Sequence, residues 1–211
     1  MKRILYIFII MILIFVEGSS ASQGEENRNS NKPKASIFPQ SEYEKNFVFP
    51  PIIGPLTFTE SKDYEKTSPG LGYSVRYEDY ITKLDIYVYD LLIDPIPYDV
   101  TSKVVVNAFQ AAANEIFAAV KDGYYKDLKY PPSRKKINLL GKDMLIGTFE
   151  YVQDKTARYS ILMLAIHKGK FFKVRLSINK EKDESYEADT LKILEEITEK
   201  ILMEGKAKGS V

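Results

Sequence analysis

The sequence predicts an α+β domain in which a mainly antiparallel β-sheet is covered by two long helices, after a cleaved signal peptide and a flexible linker. Two segments repeat apolar residues every three or four positions, as amphipathic helices do, and several others have the apolar alternation or continuity of strands. Of the 211 residues, 45% are hydrophobic, which suits a folded domain. We expect a signal peptide at 1–21, a linker at 22–49, one domain at 50–204 and a disordered tail at 205–211.

The first residues have the pattern of a secretory signal. Lys2 and Arg3 provide a positive start, residues 4–16 are an apolar run, and Ser19 and Ala21 match the small residues of a cleavage site. A membrane-spanning helix needs about 20 apolar residues, and this run is shorter. We therefore predict cleavage after Ala21, with a retained anchor as the alternative. The mature protein is expected to be exported, either periplasmic or secreted, without stable membrane insertion.

Composition narrows the chemistry that the chain can perform. It has no cysteine and one histidine, which excludes disulfides, thiolate metal ligands and every zinc site that needs two histidines. We predict no metal site and no cofactor. The 30 basic and 29 acidic residues nearly cancel, so the chain has no general attraction to nucleic acid. The predicted partner is an unknown protein or a small ligand of the cell envelope.

The first half of the domain is predicted to form strands and then a helix. The strands cover residues 56–59, 71–77 and 82–89. The helix begins near Thr101 or Ser102, either of which can cap it, and Gly123 suits its end. Its predicted apolar stripe comprises Val105, Phe109, Ala112, Ile116 and Ala119.

The second half is predicted to begin irregularly and to continue as strands and a helix. Residues 124–140 are expected to lack regular structure, because Pro131 and Pro132 prevent it locally. Three strands follow, at residues 144–153, 157–167 and 171–179. Asp154–Lys155 and Gly169–Lys170 are the expected turns, the second with an alternative one residue earlier. The final helix covers about 184–203, with an apolar stripe of Tyr186, Ile193, Leu194, Ile197 and Ile201.

Strand alternation in the last predicted hairpin shows which side chains share a face. One face carries Ile161, Met163, Ala165 and His167 beside Phe172, Val174, Leu176 and Ile178. The other carries Leu162, Leu164 and Ile166 beside Phe171, Lys173, Arg175 and Ser177. Both are largely apolar, and a strand that is apolar on both faces is normally covered on both. The sequence therefore predicts helices packed against the sheet.

Two short stretches and the order of the elements carry a family resemblance. Residues 86–90 (Ile-Tyr-Val-Tyr-Asp) and 169–175 (Gly-Lys-Phe-Phe-Lys-Val-Arg) resemble segments of uncharacterised exported bacterial proteins. The order of strands, helix, strands and helix resembles the PsbP-like α/β sandwich over roughly residues 56–202. The resemblance implies a binding or assembly protein of the envelope that is not an enzyme. It assigns no functional residue.

Motifs of the common enzyme classes are missing from the sequence. It contains neither the G-x-S-x-G turn of serine hydrolases nor a glycine-rich phosphate loop. A catalytic triad would need His167, which alternation places on an apolar face. The acidic residues between 181 and 189 surround a helix start, where they favour the helix dipole. We predict a protein without catalytic activity. The alternatives are an envelope-acting hydrolase that uses carboxylates in no recognisable pattern, and a structural component tethered by its N-terminus.

Tyrosine provides the candidate binding residues. The chain has 15 tyrosines, and Tyr87 and Tyr89 lie on one side of a predicted strand whose other side is aliphatic. The aliphatic side is the better core candidate, so the tyrosine side should face a cleft or a covering element. Tyr124 and Tyr125 follow the first helix and are expected to border the surface that carries Tyr87 and Tyr89. These four are the predicted ligand or partner contacts, since tyrosine is enriched in interfaces. Interior packing of the strand tyrosines is the alternative.

Overall fold

The structure, a computed structural model that describes residues 42–130, 134–181 and 185–203, is built around a nine-stranded antiparallel sheet. The strands are β1 (Ile52–Ile53), β2 (Leu56–Asp63), β3 (Tyr73–Glu78), β4 (Thr82–Tyr89), β5 (Lys126–Lys129), β6 (Lys135–Leu139), β7 (Lys142–Gln153), β8 (Thr156–His167) and β9 (Lys170–Asn179). The helices are α1 (Glu42–Asn46), α2 (Lys103–Lys121) and α3 (Tyr186–Ile197), and α3 continues as a π-helix over Thr198–Leu202. The strand order is β1-β2-β3-β4-β9-β8-β7-β5, and β6 also pairs with β7.

This architecture confirms the predicted antiparallel sheet with helices against it. Among the described residues, only α2, with 19 residues, is a long α-helix, because α3 has 12 residues before its π-helical continuation. The predicted signal peptide and tail lie outside the described residues, as does the predicted linker up to residue 41.

The β8–β9 hairpin at the centre of the sheet has the predicted faces. Ala165 pairs with Phe172, and His167 pairs with Lys170. The two turn residues are therefore Lys168 and Gly169, the alternative register. Their φ values of +49° and +72° are those of a hairpin turn that matches the twist of the strands. A shift of the turn by one residue moves partners by two, so each side chain keeps its face.

Two separate hydrophobic cores lie on the two faces of the sheet. Met163 and Val174 belong to the core under α3, together with Ile197. Leu164 and Phe171 belong to the core under α2. The sheet is therefore the middle layer of three, and its central strands are buried on both faces.

Helix α2 has the predicted ends and packs closely on the sheet. The side chain of Ser102 accepts a hydrogen bond from the Val105 amide at 3.4 Å, and Gly123 beyond the helix has a φ of +81°. Over the sheet, the Phe109 ring covers Gly147, where a Cβ atom would lie 3.2 Å from the ring. A glycine in β7 thus lets the helix approach the strand.

The structure corrects the predicted linker over residues 42–49. Glu42–Asn46 form α1, and Tyr43 and Phe47 are buried in the core under α3. The ring centres of Tyr43 and Phe47, and of Phe47 and Phe49, are 6.4 Å apart. The prediction was wrong here because it rested on the low average hydrophobicity of the segment, which a few aromatic residues change little. The core residues that these rings contact lie far away in the sequence.

The structure also corrects the expectation of irregular structure at 124–140. Lys126–Lys129 and Lys135–Leu139 are strands that pair with the two ends of β7. Most of their side chains are exposed, so they lack the apolar alternation that identifies a half-buried strand. Strand β2 extends beyond residue 59 for the same reason, since its side chains past Leu56 are largely exposed. Strands β2, β5 and β6 therefore form because each pairs with a neighbouring strand, and the sequence pattern does not show this pairing.

The loop between β2 and β3 is fastened to β4 by a close backbone contact. Gly72 has a φ of +66°, and a Cβ atom on it would lie 1.9 Å from the Val88 carbonyl oxygen. The Glu65 carboxylate accepts hydrogen bonds from the amides of Gly70 and Gly72, each at 2.9 Å. The loop therefore has no room for a side chain at residue 72.

We expect Gly72→Ala to lower the free energy of unfolding by about 3 kcal/mol or more, because it adds a backbone clash to left-handed strain. The matched control is Gly141→Ala, with a φ of +79° and nothing within 4 Å of the added Cβ. It should lose only about 1 kcal/mol from strain. Urea unfolding of both variants measures the difference, and equal losses would contradict the close approach.

His167 should make the stability depend on pH in a defined window. Its side chain is buried, with its ring centre 5.6 Å from that of Phe47. Burial, together with the charges of Lys168 and Lys142, lowers the pKa of His167 from 6.5 to about 4. As the pH falls from about 6.5 to about 4, the unfolded chain binds a proton that the folded protein does not. We expect a loss of about 1–3 kcal/mol over this window.

Because the chain has one histidine, His167→Phe removes this contribution. Denaturant titrations of the wild type and the variant at a series of pH values provide the measurement. The stability of the variant should fall less steeply between pH 6.5 and 4. Parallel profiles would show that the folded protein protonates His167 normally.

Candidate ligand pocket

A row of polar side chains crosses the face of the sheet that α2 covers. Lys173, Arg175 and Ser177 occupy alternate positions of β9, and Ser160 of β8 pairs with Ser177. Lys173 and Arg175 are 2% and 6% exposed. Buried polar groups cost free energy unless they are hydrogen-bonded or paired. The partners of this row therefore explain how the layer holds together.

Lys173 joins the sheet to α2 through a buried ion pair. Its Nζ atom lies 3.2 Å from Oε2 of Glu115, and the two side chains are 3% and 9% exposed. The same Nζ lies 4.4 Å from the ring centre of Tyr87 and 5.7 Å from that of Tyr89. Carboxylate and aromatic faces together compensate the ammonium group in a water-poor interior.

Tyr87 and Tyr89 accordingly lie inside the protein. They are 7% and 3% exposed, and both belong to the core under α2. Burial raises the pKa of each hydroxyl, that of Tyr87 well above its ordinary value. Of the two arrangements expected for this side of β4, the structure has the covering element. Helix α2 buries both rings because β4 is a central strand of the sheet.

Arg175 lies further along β9 and is held by hydroxyl groups. Its Nε donates to Oγ of Ser160 at 3.5 Å, and an Nη donates to the Tyr125 hydroxyl at 3.4 Å. Burial alone would lower the pKa of the guanidinium, but Tyr125 and Tyr151 outweigh it and hold that pKa above its usual value. Burial raises the pKa of Tyr125 to about 12. Arg175 is thus a permanent buried cation.

Neutral hydroxyls continue the polar row beside Arg175. Ser177 Oγ donates to Ser160 Oγ at 3.0 Å and lies 3.1 Å from the Tyr151 hydroxyl. The rings of Tyr125 and Tyr151 stack with centres 4.1 Å apart. These contacts fix a polar floor in an otherwise apolar layer.

A cavity of about 730 Å³ opens above this floor. It lies between the last turns of α2, the β3–β4 turn and the β7–β8 turn, at the end of the layer interface. Arg175 and Ser177 line its floor, while Tyr80 and Tyr124 are exposed side chains of its wall. This volume lies within the range of pockets that hold small organic ligands.

The four sequence-predicted tyrosines therefore separate. Tyr124 and Tyr125 line the cavity, the first 47% and the second 6% exposed. Tyr87 and Tyr89 do not line it, because they are further along β4 than Asp85, the last residue of that strand in the wall. Their part in ligand binding stays a prediction without a contact to the cavity.

Arg158 and Asp85 are two further charged side chains of the wall. Arg158 donates from Nη1 to the Ile81 carbonyl at 3.5 Å, and its Nε is buried. Within the described part of the chain, this Nε is the one buried side-chain nitrogen or oxygen without a hydrogen-bond partner. Asp85 instead accepts a hydrogen bond from Nε of Arg76 at 2.6 Å.

The sequence analysis missed the residues that form the floor and wall of this cavity. These are Arg158, Arg175, Ser177 and Tyr151, with Ser160 supporting Ser177 from below. The signal was present in β9, where a lysine, an arginine and a serine alternate on a side predicted to be covered. Polar residues beneath a helix indicate either a buried network or a cavity, and the structure contains both.

Metal binding and His167 chemistry find no support at this site. Across residues 42–130, 134–181 and 185–203, no group of three or more His, Asp or Glu side chains is placed to hold a metal ion. His167 packs against Phe172 in the core under α3, on the opposite face of the sheet.

Among the helices of residues 42–130, 134–181 and 185–203, none is both long and apolar enough to cross a membrane.

Comparison with known proteins gives distant structural likeness. No family model matches the chain, and no curated protein matches it. A cyanobacterial PsbP (CyanoP) from Synechocystis sp. PCC 6803 is 12% identical, with a TM-score of 0.41 over 69% of this chain and 79% of that one. A protein of unknown function from Pseudomonas aeruginosa, PA94, is 9% identical, with a TM-score of 0.36 over 56% of this chain and 74% of that one. The PsbP-like resemblance thus has a counterpart among solved structures, and nothing about ligands follows from it.

We expect Glu115→Gln to lower the free energy of unfolding by about 3–5 kcal/mol, because it removes the carboxylate from a buried ammonium group. The double variant Glu115→Gln with Lys173→Met should recover most of this loss, since no buried charge then lacks its counter-ion. Lys192→Met breaks an exposed ion pair with Asp189 and serves as the control without a measurable effect. Equal losses in the single and double variants would contradict the coupling.

Proposed function

We propose that this protein is a non-catalytic binding protein whose ligand is a small polar molecule held in the cavity beside α2. The observation that carries the proposal is the polar floor of Arg175 and Ser177 beneath a 730 Å³ cavity in an otherwise apolar layer. Ligand orientation and specificity in binding sites come from polar groups held in fixed positions. Here the hydroxyl network fixes those groups before any ligand arrives.

The chemistry of the cavity wall favours binding over catalysis. A serine nucleophile needs a base within hydrogen-bond reach, and Ser177 has only hydroxyl partners at that distance in the described residues. The buried carboxylates are engaged by cations, Asp85 by Arg76 and Glu115 by Lys173. A carboxylate pair for glycoside hydrolysis must instead act on the substrate from both sides of one bond. These contacts support a receptor site.

Export is part of the proposal and rests on the sequence of residues 1–21. The charged start, the apolar run and the small residues after it direct a chain into the secretory route. A cysteine-free protein in an oxidising compartment depends on its cores alone, and the two cores provide that support. We place the mature protein in the envelope or outside it, where it meets its ligand.

Nuclear magnetic resonance with a library of small organic acids, amides, amines and sugars tests the proposal. We expect binders to shift the backbone amides of residues 124–126 and 151–155, which line the cavity. Ser177→Phe should abolish these shifts by filling the floor, and Ala119→Phe should do so from α2 without disturbing the hydroxyl network.

Ser61→Phe is the matched control, because Ser61 is an exposed residue of β2 outside the cavity lining. Binders that shift other amides only, or that bind the filled variants unchanged, would overturn the cavity as the site. Turnover of cell-wall glycan or ester substrates that one carboxylate substitution abolishes would overturn the non-catalytic role.

A further inference from the structure

The charge balance and the aromatic rim of the cavity define a ligand class. We infer that the ligand is a small organic anion, a carboxylate or phosphate attached to a ring, with the anionic group at Arg158 and Arg175 and the ring beside the tyrosines. This inference rests on the proposed function, since it requires the cavity to be a binding site.

Arg158 provides the most direct indication of an anion. A guanidinium group presents five N–H donors in a fixed fork. The Nε of Arg158 is buried without a hydrogen-bond partner, and its Nη1 has one long contact to a carbonyl. Arg158 also lines the cavity, so a carboxylate or phosphate there would make a charge-assisted contact with its guanidinium group.

The inner carboxylates of the wall are already compensated from outside it. Asp85 contacts Arg76, and Glu115 contacts Lys173, and neither cation lines the cavity. Glu60, an exposed second partner of Arg76, brings the carboxylates of this group of charges to three.

The cations of this group of charges are one more than its carboxylates: Arg76, Lys173, Arg158 and Arg175. Because the other charged residues of the lining are three of each sign, the net charge around the cavity favours a negative ligand. The remaining acidic residues of the lining are exposed ones at the mouth: Glu78, Asp79 and Asp154.

Aromatic side chains define the other part of the ligand. Tyr80 at the β3–β4 turn is 85% exposed, and Tyr124 is 47% exposed, although both are large rings in the cavity wall. Tyr125 and Tyr151 continue this wall inward as a stacked pair. Aromatic rings favour planar partners through offset or edge contacts. An aryl body thus fits between the rim and the cationic floor.

The test uses phenylacetate, phenylacetamide, phenyl phosphate and acetate as probes on the intact folded protein. We expect phenylacetate or phenyl phosphate to bind at least about tenfold more tightly than phenylacetamide, which has the same ring without the charge. Whichever of the two is tighter identifies the anionic group. Acetate, which has the charge without the ring, should bind more weakly than phenylacetate.

Substitutions locate the anion. Arg158→Gln should reduce the difference in affinity between the aryl anion and the amide, with Arg175 still present, while Arg158→Lys should retain more of this difference because it keeps the charge but loses the fork. Arg134→Gln is the matched control, since Arg134 is exposed and outside the cavity lining. The amide spectrum of each variant reports its folding, and Arg158→Lys serves if Arg158→Gln does not fold.

The outcomes separate this inference from the proposed function. If phenylacetamide binds in the cavity as tightly as both anions, the anionic class is wrong and the binding function stands. If acetate binds as tightly as phenylacetate, the aryl part is wrong. If neither these probes nor any library compound shifts the cavity amides, the binding function itself fails.

Discussion

The need to cover both faces of the central β8–β9 hairpin governs the whole architecture. Met163 and Val174 on one face, and Leu164 and Phe171 on the other, are all nearly inaccessible to water. Two apolar faces cannot both be buried by one layer, so the chain provides α2 on one side and α3 with the α1 segment on the other. Burial of apolar surface at about 25 cal/mol per Å² makes this the dominant stabilising contribution in a chain without disulfides.

The two covering layers differ in what they bury. The α3 side is a continuous apolar core that the aromatic residues of the α1 segment extend, and His167 beside this core packs against aromatic rings. The α2 side carries a lysine, an arginine and serines within the sheet itself. Helix α2 compensates the lysine through Glu115, and the loop after the helix compensates the arginine through Tyr125. Buried polar groups arranged in this way specify one packing of helix on sheet.

The cavity follows from this asymmetry. Toward the end of α2 the apolar packing stops, and the β3–β4 and β7–β8 turns surround a space that has a polar floor and an aromatic rim. Side chains from distant parts of the sequence meet there, because antiparallel pairing places Ser160 beside Ser177 and Tyr151 opposite Arg158. A rigid sheet holds the floor, whereas turns and a loop form the rim, which is the usual division in binding sites.

The sequence by itself determined the elements whose side chains alternate or repeat in register with a core. The ends of α2, the faces of β8 and β9 and the bounds of β4 all follow from local periodicity and capping. It also excluded disulfides and cysteine chemistry outright, since composition alone decides them.

Tertiary structure decided everything that depends on a distant partner. Strands β5 and β6 exist because β7 offers edges to pair with, and Tyr43 and Phe47 are buried because a core lies beneath them. The site also depends on distant partners: helix α2 buries Tyr87 and Tyr89, and Arg158 lies in the wall of the cavity. Local patterns record which face a side chain takes, but only the packing of whole layers fixes which faces meet and where a gap remains between them.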